Sequence, residues 1–284
     1  MSVDPEDFRR ASLDNWEAAS HGWRRRKAEV DSFGAPVAQW LVQAVAPQPG
    51  ERVLELAAGL GETGLLAAEL VAPAGEVLIS DQAEGMLEGA RERAAELGIA
   101  NVRFQVLGGE WIDLPTASVD IVLCRWGYML MVDPGASLTE TRRVLAAGGR
   151  LGAAVWDSLE RNPWALLPRE ELAGRGLGPP PGGEQGPGPF ALGDSGRFEE
   201  LLAGAGFTEV EIEDVELARR HPSFDEFWET TLDISPGFHD AVMARPEAEI
   251  EDIREGLRGR LEPYTDGAGA VNVPGHTLVA KASA

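Results

Sequence analysis

The passage from Glu55 to Gly64 has the residue types of a ligand-binding turn. It follows a short apolar run and precedes an Ala- and Leu-rich stretch, and Gly59, Gly61 and Gly64 have the spacing G-x-G-x-x-G. A strand, a glycine-rich turn and a helix in that order let the backbone approach a nucleotide-like ligand closely. The next apolar run stops at Asp81, whose carboxylate can accept hydrogen bonds from both hydroxyls of a ribose. A cofactor that contains adenosine accounts for both features.

Three interpretations of this turn are open. The spacing fits a tight turn without a ligand, and it also fits a nicotinamide or flavin enzyme, which requires an acid about 20 residues further on, as Asp81 supplies. A different cofactor is favoured because about fifty residues precede the first strand and because that strand ends in Glu55. A carboxylate is repelled by a pyrophosphate but attracted by an ammonium group. A third acid, Glu110, follows the third strand.

Short apolar segments alternate with helical segments through the middle of the chain. Strands that are apolar on both faces and alternate with helices predict a parallel sheet. Right-handed crossovers then bring the cofactor loops together at the carboxyl ends of the strands. The predicted strands are 52–56, 76–80, 102–107, 119–124 and 150–156, and the predicted helices are 62–71, 83–97 and 135–145.

The segments on either side of this core interrupt the regular pattern. A Pro- and Gly-rich segment at 176–189 fits neither a helix nor a central strand. We nevertheless expect one domain over 1–284. Its predicted parts are a helical N-terminal cap at 1–50, a cofactor-binding core at 51–156, substrate-lid insertions at 157–195 and 222–262, and closing strands at 207–217 and 270–281.

The composition argues against several classes of protein. The chain has 25 Lys and Arg residues against 47 Asp and Glu residues, a net charge of −22, which disfavours binding to nucleic acid or to an anionic membrane. The single cysteine, Cys124, excludes an internal disulfide, and the spacing of His21, His221, His239 and His276 does not suggest a metal site. The acidic N-terminus and the lack of a long apolar run predict a soluble, cytoplasmic protein.

Several motifs in order resemble class I S-adenosylmethionine-dependent methyltransferases. Residues 55–61 are similar to the first motif of that family, an acid followed by G-x-G, and Asp81 matches the acid that holds the ribose. Residues 109–115 resemble the loop Gly-acid-x-x-x-Leu-Pro, and residues 142–150 resemble the turn into the fifth strand. The matches cover 51–156. More distantly, the chain resembles the ubiquinone/menaquinone-biosynthesis C-methyltransferase branch and its small-molecule relatives.

The resemblance implies an α/β, Rossmann-like fold: a seven-stranded, mostly parallel sheet with helices on both faces, plus helical lid insertions. It also implies S-adenosylmethionine as cofactor and S-adenosylhomocysteine as product. Trp111 is expected to donate its backbone N–H to the adenine and to cover the ring, or else to fill the edge of the core. Arg125 either contacts the cofactor or pairs with a nearby acid. The residues expected to bind the cofactor are Glu55, Ala57, Gly59, Gly61, Asp81, Gln82, Met86, Glu110, Trp111 and Arg125.

The acceptor side is less specified by the sequence. Trp16 and Trp23 match aromatic positions of the family's N-terminal cap, which closes over the cofactor. Aromatic residues at and after the ends of the fourth and fifth strands suggest a large pocket, although ordinary core packing explains them equally well. The expected pocket residues are Trp16, Trp23, Trp126, Tyr128, Trp156 and Trp164. The catalytic residue stays unassigned; His21 and His221 are the candidate bases.

The expected function is methyl transfer from S-adenosylmethionine to a carbon, oxygen or nitrogen atom of a small molecule. Alignment and exclusion of water are then the main catalytic effects, and a general base is needed only for a weakly acidic acceptor. Two alternatives stay open: a protein that keeps the cofactor without methylating, and an NAD(P)-dependent oxidoreductase. The oligomeric state, monomer or homodimer, is not predicted.

Overall fold

A seven-stranded sheet forms the centre of the chain in a computed structural model that describes residues 4–178 and 186–284. Part of the Pro- and Gly-rich segment, residues 179–185, therefore lies outside the described residues. The strand order is β3-β2-β1-β4-β5-β7-β6, with β7 antiparallel to both of its neighbours and the first five strands parallel. The strands are β1 Arg52–Glu55, β2 Glu76–Asp81, β3 Val102–Val106, β4 Val119–Arg125, β5 Leu145–Trp156, β6 Thr208–His221 and β7 Val271–Ser283.

Helices cover both faces of this sheet, which confirms the predicted fold class. Two of them, α1 and α2, come before the first strand, and α3 begins directly after the glycine turn. The helices are α1 Pro5–Arg25, α2 Lys27–Val45, α3 Glu62–Val71, α4 Glu84–Leu97, α5 Pro134–Val144, α6 Pro163–Gly174, α7 Ser195–Gly204, α8 Phe224–Ile234, α9 Pro236–Met243 and α10 Glu247–Leu261. Among the described residues, none of these helices is long and apolar enough to cross a membrane.

The last two strands are longer than predicted. β5 pairs with β7 as far as Trp156 and Thr277, whereas β6 and β7 continue to pair with each other as far as His221 and Val271. This antiparallel pair of strands, which we call the β6–β7 hairpin although α8, α9 and α10 lie between its strands in sequence, thus extends beyond the carboxyl edge of the parallel strands. The prediction stopped β6 at residue 217 because its last residues are polar, but in the structure they face neighbouring helices.

A second hydrophobic cluster lies outside the sheet and holds the helical insertions together. It joins α6, α8, α9 and α10 to the extended end of β7. Burial of one Leu or Phe side chain stabilises by about 1.5–3 kcal/mol, so this cluster keeps the insertions packed on the hairpin. Its buried members are Leu172, Phe224, Phe227, Trp228, Phe238, Val242, Ile253, Leu257, Leu261, Val271 and Val273. The division into cap, core and insertions stays a prediction.

Candidate cofactor and acceptor site

The carboxyl edge of the sheet brings together residues from four parallel strands. Glu55, Asp81, Arg125 and Trp156 end β1, β2, β4 and β5, and Glu110 lies in the loop after β3. Parallel strands present their carboxyl ends at the same edge of a sheet. Residues up to 101 positions apart in sequence are therefore neighbours here.

The glycine turn has a backbone conformation that differs from that of an ordinary helix start. Ala57, Gly59 and Gly61 all have positive φ angles, 50°, 55° and 74°, a region that favours glycine. A Cβ atom on Gly61 would lie 3.1 Å from the Cβ of Ala90, so this position keeps the turn close to α4. A Cβ atom on Gly59 would meet only the ring of Trp23, at 3.7 Å. On the side of Gly59, the turn is therefore covered by α1.

Asp81 connects this turn to the end of β2. Its Oδ2 accepts a hydrogen bond from the backbone N–H of Gly59, and its Oδ1 accepts one from the N–H of Ala83, both at 2.9 Å. The side chain is buried, and burial raises its pKa while these N–H groups act in the opposite direction. Each carboxylate oxygen has a second lone pair. Asp81 can therefore shape the turn and still accept hydrogen bonds from a ribose.

Glu55 lies beneath the first turn of α3. Its side chain is 1% exposed, and among the described residues its Oε2 has no hydrogen-bond partner. A Cβ atom on Gly64 would lie 2.3 Å from that oxygen, so only glycine allows the carboxyl group this place. Burial raises the pKa of Glu55 to about 8, although the nearby positive charge of Arg125 acts to lower it. Such an orphaned buried carboxyl group is suited to a cationic neighbour.

Polar contacts from α1 reach two of the predicted cofactor residues. Glu110 accepts hydrogen bonds from Nε of Arg9 at 2.5 Å and from the backbone N–H of Asp133 at 2.6 Å. Gln82 donates from Nε2 to the hydroxyl of Ser12 at 3.2 Å. The helix therefore spans the loops after β2 and β3.

Apolar contacts complete the cover that α1 forms. Met86 is buried with Leu60 and Ala83, and the rings of Trp16 and Trp23 pack against this cluster. The two rings meet edge to face with their centres 5.7 Å apart. Trp16 and Trp23 thus lie next to the glycine turn; their place in the acceptor pocket stays a prediction.

The structure differs from the sequence expectation at Trp111. Its ring is 76% exposed, so it does not fill the edge of the core; that it covers the adenine stays a prediction. Its backbone N–H donates to the carbonyl of Gly108 at 3.3 Å. A tight turn over 108–111 accounts for both observations, because it uses the N–H locally and directs the side chain outwards.

Arg125 pairs with an acid rather than facing the ligand loops. Its Nη2 lies 2.8 Å from Oε2 of Glu62, and its Nε donates to the hydroxyl of Thr63 at 3.2 Å. A Cβ atom on Gly34 would lie 2.1 Å from Nη1, so the guanidinium is tightly packed between α2 and α3. Of the two roles expected for Arg125, the structure shows the ion pair.

The predicted pocket aromatics separate into two groups. Trp126 and Trp156 stack with ring centres 4.2 Å apart, and the ring of Trp164 follows at 4.8 Å from Trp156. Tyr128 is instead fully buried, and its hydroxyl is hydrogen-bonded to that of Thr141 at 2.8 Å. Tyr128 is therefore a core residue in this structure, whereas the three tryptophans form a continuous aromatic stack, which we name the tryptophan stack.

The two candidate bases have different surroundings. His21 is exposed on α1. His221 is buried at the end of β6, and burial lowers its pKa to about 4, with Arg219 and Arg26 acting in the same direction. Its Nδ1 has no hydrogen-bond partner within the part of the chain that the structure describes. His221 is therefore neutral at pH 7, with a free ring nitrogen.

One residue near the tryptophan stack was not selected from the sequence. The guanidinium of Arg219 lies 3.6 Å from the ring centre of Trp164 and 4.2 Å from that of Phe33. Alternation along β6 puts Leu217, Arg219 and His221 on one face. The sequence signal that could have identified Arg219 is this alternation, which places two basic residues, Arg219 and His221, on the same face of the strand as Leu217.

Comparisons with known proteins agree with this geometry. A family model described as "Methyltransferase domain" matches residues 47–172. The chain is 31% identical to the nocamycin O-methyltransferase of Saccharothrix syringae over 199 residues, 67% of this chain and 71% of that one. It is 32% identical to the ubiquinone/menaquinone biosynthesis C-methyltransferase UbiE of Ectopseudomonas mendocina over 114 residues, 40% of this chain and 44% of that one.

A solved structure shows the same fold over nearly the whole chain. Phosphoethanolamine N-methyltransferase 2 of Haemonchus contortus aligns with a TM-score of 0.60 at 17% identity, covering 99% of this chain and 61% of that one. The chain spans about half the length of the first curated relatives it matches, between 42% and 54%. The predicted resemblance is confirmed: the chain belongs to the class I S-adenosylmethionine-dependent methyltransferases.

Proposed function

We propose that this protein transfers a methyl group from S-adenosylmethionine to a small-molecule acceptor. The observation that carries the proposal is the position of Asp81, which joins the glycine turn to the end of β2 directly under α1. The residues present fit the cofactor, because the turn has positive φ angles and Glu55 has an orphaned buried oxygen. When bound, S-adenosylmethionine supplies an activated methyl group on a good leaving group.

The residues of the turn and of β2 would hold the methionine and ribose parts of the cofactor. Ala57, Gly59 and Gly61 would contact the methionine part through their backbone, because the glycines let a ligand approach the turn closely. Asp81 would accept hydrogen bonds from the ribose diol. Glu55 would face the ammonium group, directly or through a water, and that positive charge would favour its ionised form.

The loops after β2 and β3 would hold the adenine. Gln82 and Met86 lie under α1 and would flank the ring, and Glu110 would accept from its amino group. In this structure both oxygens of Glu110 already have donors, one of them Arg9 on α1. Each oxygen keeps a second lone pair, so Glu110 would accept from the adenine while Arg9 holds α1 over the loop.

Catalysis by this chain would consist of alignment and exclusion of water. The cap formed by α1 covers the turn with Trp16 and Trp23, so solvent is kept from the reacting groups. Correct alignment can lower a barrier by up to about 7–11 kcal/mol in favourable cases. His221 is neutral and close to the tryptophan stack, but its low pKa makes it a weak proton acceptor. An acceptor that is already acidic would not need it.

The acceptor would lie against the tryptophan stack at the ends of β4 and β5. Trp126 and Trp156 are buried and nearly parallel, at 12°, and the ring of Trp164 is tilted by 57° to that of Trp156. This apolar cluster suits a small conjugated molecule. The insertions that pack on the β6–β7 hairpin enclose this region, which favours a small molecule over a protein or nucleic acid substrate. A cytoplasmic location stays a prediction.

Calorimetric titration with S-adenosylhomocysteine tests the cofactor assignment. We expect the wild type to bind it and not NAD, and Asp81→Asn to weaken binding at least about tenfold, because a hydrogen bond to a charged group is lost. Asp252→Ala, at an exposed position on α10, is the control with the same change in charge. Unchanged affinity in Asp81→Asn, or no heat in the wild type, would contradict the proposal. Formation of S-adenosylhomocysteine with an acceptor panel then separates methyl transfer from cofactor retention alone.

A further inference from the structure

Arg219 is a positive charge that has no acidic partner among the described residues of a strongly acidic protein. Among residues 4–178 and 186–284, nothing forms a hydrogen bond or an ion pair with its guanidinium, and its Nε is fully buried. The chain has 47 acidic residues against 25 basic ones, so acids are not scarce. Arg26, also largely buried, shows the usual arrangement, because Asp233, Glu226 and Glu229 surround it.

Aromatic rings take the place of an acid around Arg219. The guanidinium lies 3.6 Å from the ring centre of Trp164, 4.2 Å from that of Phe33 and 5.8 Å from that of Trp156. These contacts attract a cation, but they do not satisfy the five N–H donors of arginine. Burial lowers the pKa of Arg219 to about 9, so the side chain stays charged at pH 7.

Two more unsatisfied polar groups lie beside it. His221 Nδ1 and Thr230 Oγ1 are buried, and both lack a hydrogen-bond partner in the described part of the chain. Together with Arg219 they line a cavity of about 10 Å³ between α2, α8 and β6, about the room that one water needs. Glu29 also lines the cavity, but it lies 3.8 Å from Arg26. A larger group can reach Arg219 only if the covering rings move.

This cluster belongs to the acceptor side of the site. Because β6 runs parallel to β5, its end lies at the same edge as Trp156, and the hairpin extends beyond that edge. The tryptophan stack continues from Arg219 through Trp164 and Trp156 to Trp126. Arg125, which bonds to Thr63 just after the glycine turn, lies 4.8 Å from the ring centre of Trp126. The unpaired charge is therefore linked to the cofactor edge by one aromatic surface.

We propose that Arg219 binds a carboxylate on a conjugated acceptor, with the tryptophan stack contacting the rest of that molecule. The inference rests on the proposed function and adds the substrate class. A guanidinium forms two parallel hydrogen bonds with a carboxylate. The pairing satisfies donors that are now unused, and the aromatic rings of the tryptophan stack suit an apolar, conjugated scaffold. A net charge of −22 repels free anions, so specific binding of a carboxylate requires such a site.

Benzoate and benzamide are matched probes for this site, because they differ only in the charged group. We expect benzoate to quench the tryptophan fluorescence saturably, with an affinity at least about tenfold higher than that of benzamide. Arg219→Met should remove this preference and Arg219→Lys should restore part of it. Arg197→Met, at an exposed position on α7, removes the same charge and should leave the preference unchanged.

The outcomes separate this inference from the proposed function. If benzoate and benzamide bind equally well, or neither binds, the inference is overturned, whatever S-adenosylhomocysteine does. The same holds if Arg219→Met keeps the preference for benzoate. If S-adenosylhomocysteine fails to bind while benzoate binds through Arg219, the carboxylate site stands and the methyltransferase proposal falls. Because the comparison of the two probes uses the wild type, it stays decisive even if Arg219→Met does not fold.

Discussion

Replacement of Glu55 by glutamine should make the protein more stable at alkaline pH. Glu55 is 1% exposed, and burial raises its pKa from an ordinary value of 4.5 to about 8. Between these two pH values the carboxyl group of Glu55 therefore keeps its proton in the folded protein and has lost it in the unfolded chain. Glutamine keeps the shape of the protonated acid and never ionises.

The pKa shift sets the sign and the size of the effect. An acid with a raised folded-state pKa causes no loss of stability below the unfolded value of 4.5, and its cost grows until the pH passes about 8. At about 1.4 kcal/mol for each pH unit, that cost reaches at most about 5 kcal/mol. Glu55→Gln should recover this amount, so its advantage over the wild type should grow steadily between these two pH values.

Urea unfolding at several pH values measures this difference. The free energy of unfolding of Glu55→Gln minus that of the wild type should rise by about 3–5 kcal/mol between about pH 5 and about pH 8.5. Glu69→Gln, at an exposed position on α3, is the control and should show a constant difference. Parallel stability curves for Glu55→Gln and the wild type would mean that Glu55 titrates normally, and the argument from its burial would be refuted.

Three further predictions concern the turn, the cap and the core. Gly61→Ala should lower the free energy of unfolding by about 1–2 kcal/mol, because its φ is 74°. Gly237→Ala, with open space around its Cβ position, is the control and should not destabilise the protein. Equal shifts of the two variants in thermal unfolding would contradict this. Arg9→Ala should release S-adenosylhomocysteine about 2–5 times faster than the wild type in stopped-flow measurements, because a partly exposed ion pair with Glu110 is lost. High salt should abolish this difference in release rate. Tyr128→Phe should cost about 0.5–1.5 kcal/mol in urea unfolding, because its partner hydroxyl on α5 keeps a second hydrogen bond; a larger loss would mean that Tyr128 has a further role.

The local pattern was sufficient to place most of the predicted cofactor residues at one edge of the sheet. The order of apolar runs and glycines predicted the parallel strands, and parallel strands place Glu55, Asp81 and the loop of Glu110 at one edge without further information. The positive φ angles of Gly59 and Gly61 also fit their residue type, whereas that of Ala57 does not follow from it. These features depend on residues close together in sequence, so a sequence alone can determine them.

The acceptor half depended on packing between distant segments. Neighbouring residues in the sequence did not determine whether Arg125 would face the ligand or pair with Glu62. They also did not determine whether the Tyr128 ring would line a pocket. The strand that carries Arg219 is also longer than its apolar pattern indicated, because helices from the insertions cover its polar end.

The sequence by itself therefore determined the fold class, the cofactor edge and the family resemblance. Only the tertiary structure decided that α1 closes over Glu110 through Arg9, a contact across 101 positions. It also decided that Arg219 lies among aromatic rings, with no acid paired to it in the described part of the chain. The physical reason is that burial and charge pairing depend on which surfaces meet. A sequence specifies its turns locally, but the partner of a side chain is chosen by the packing of the whole chain.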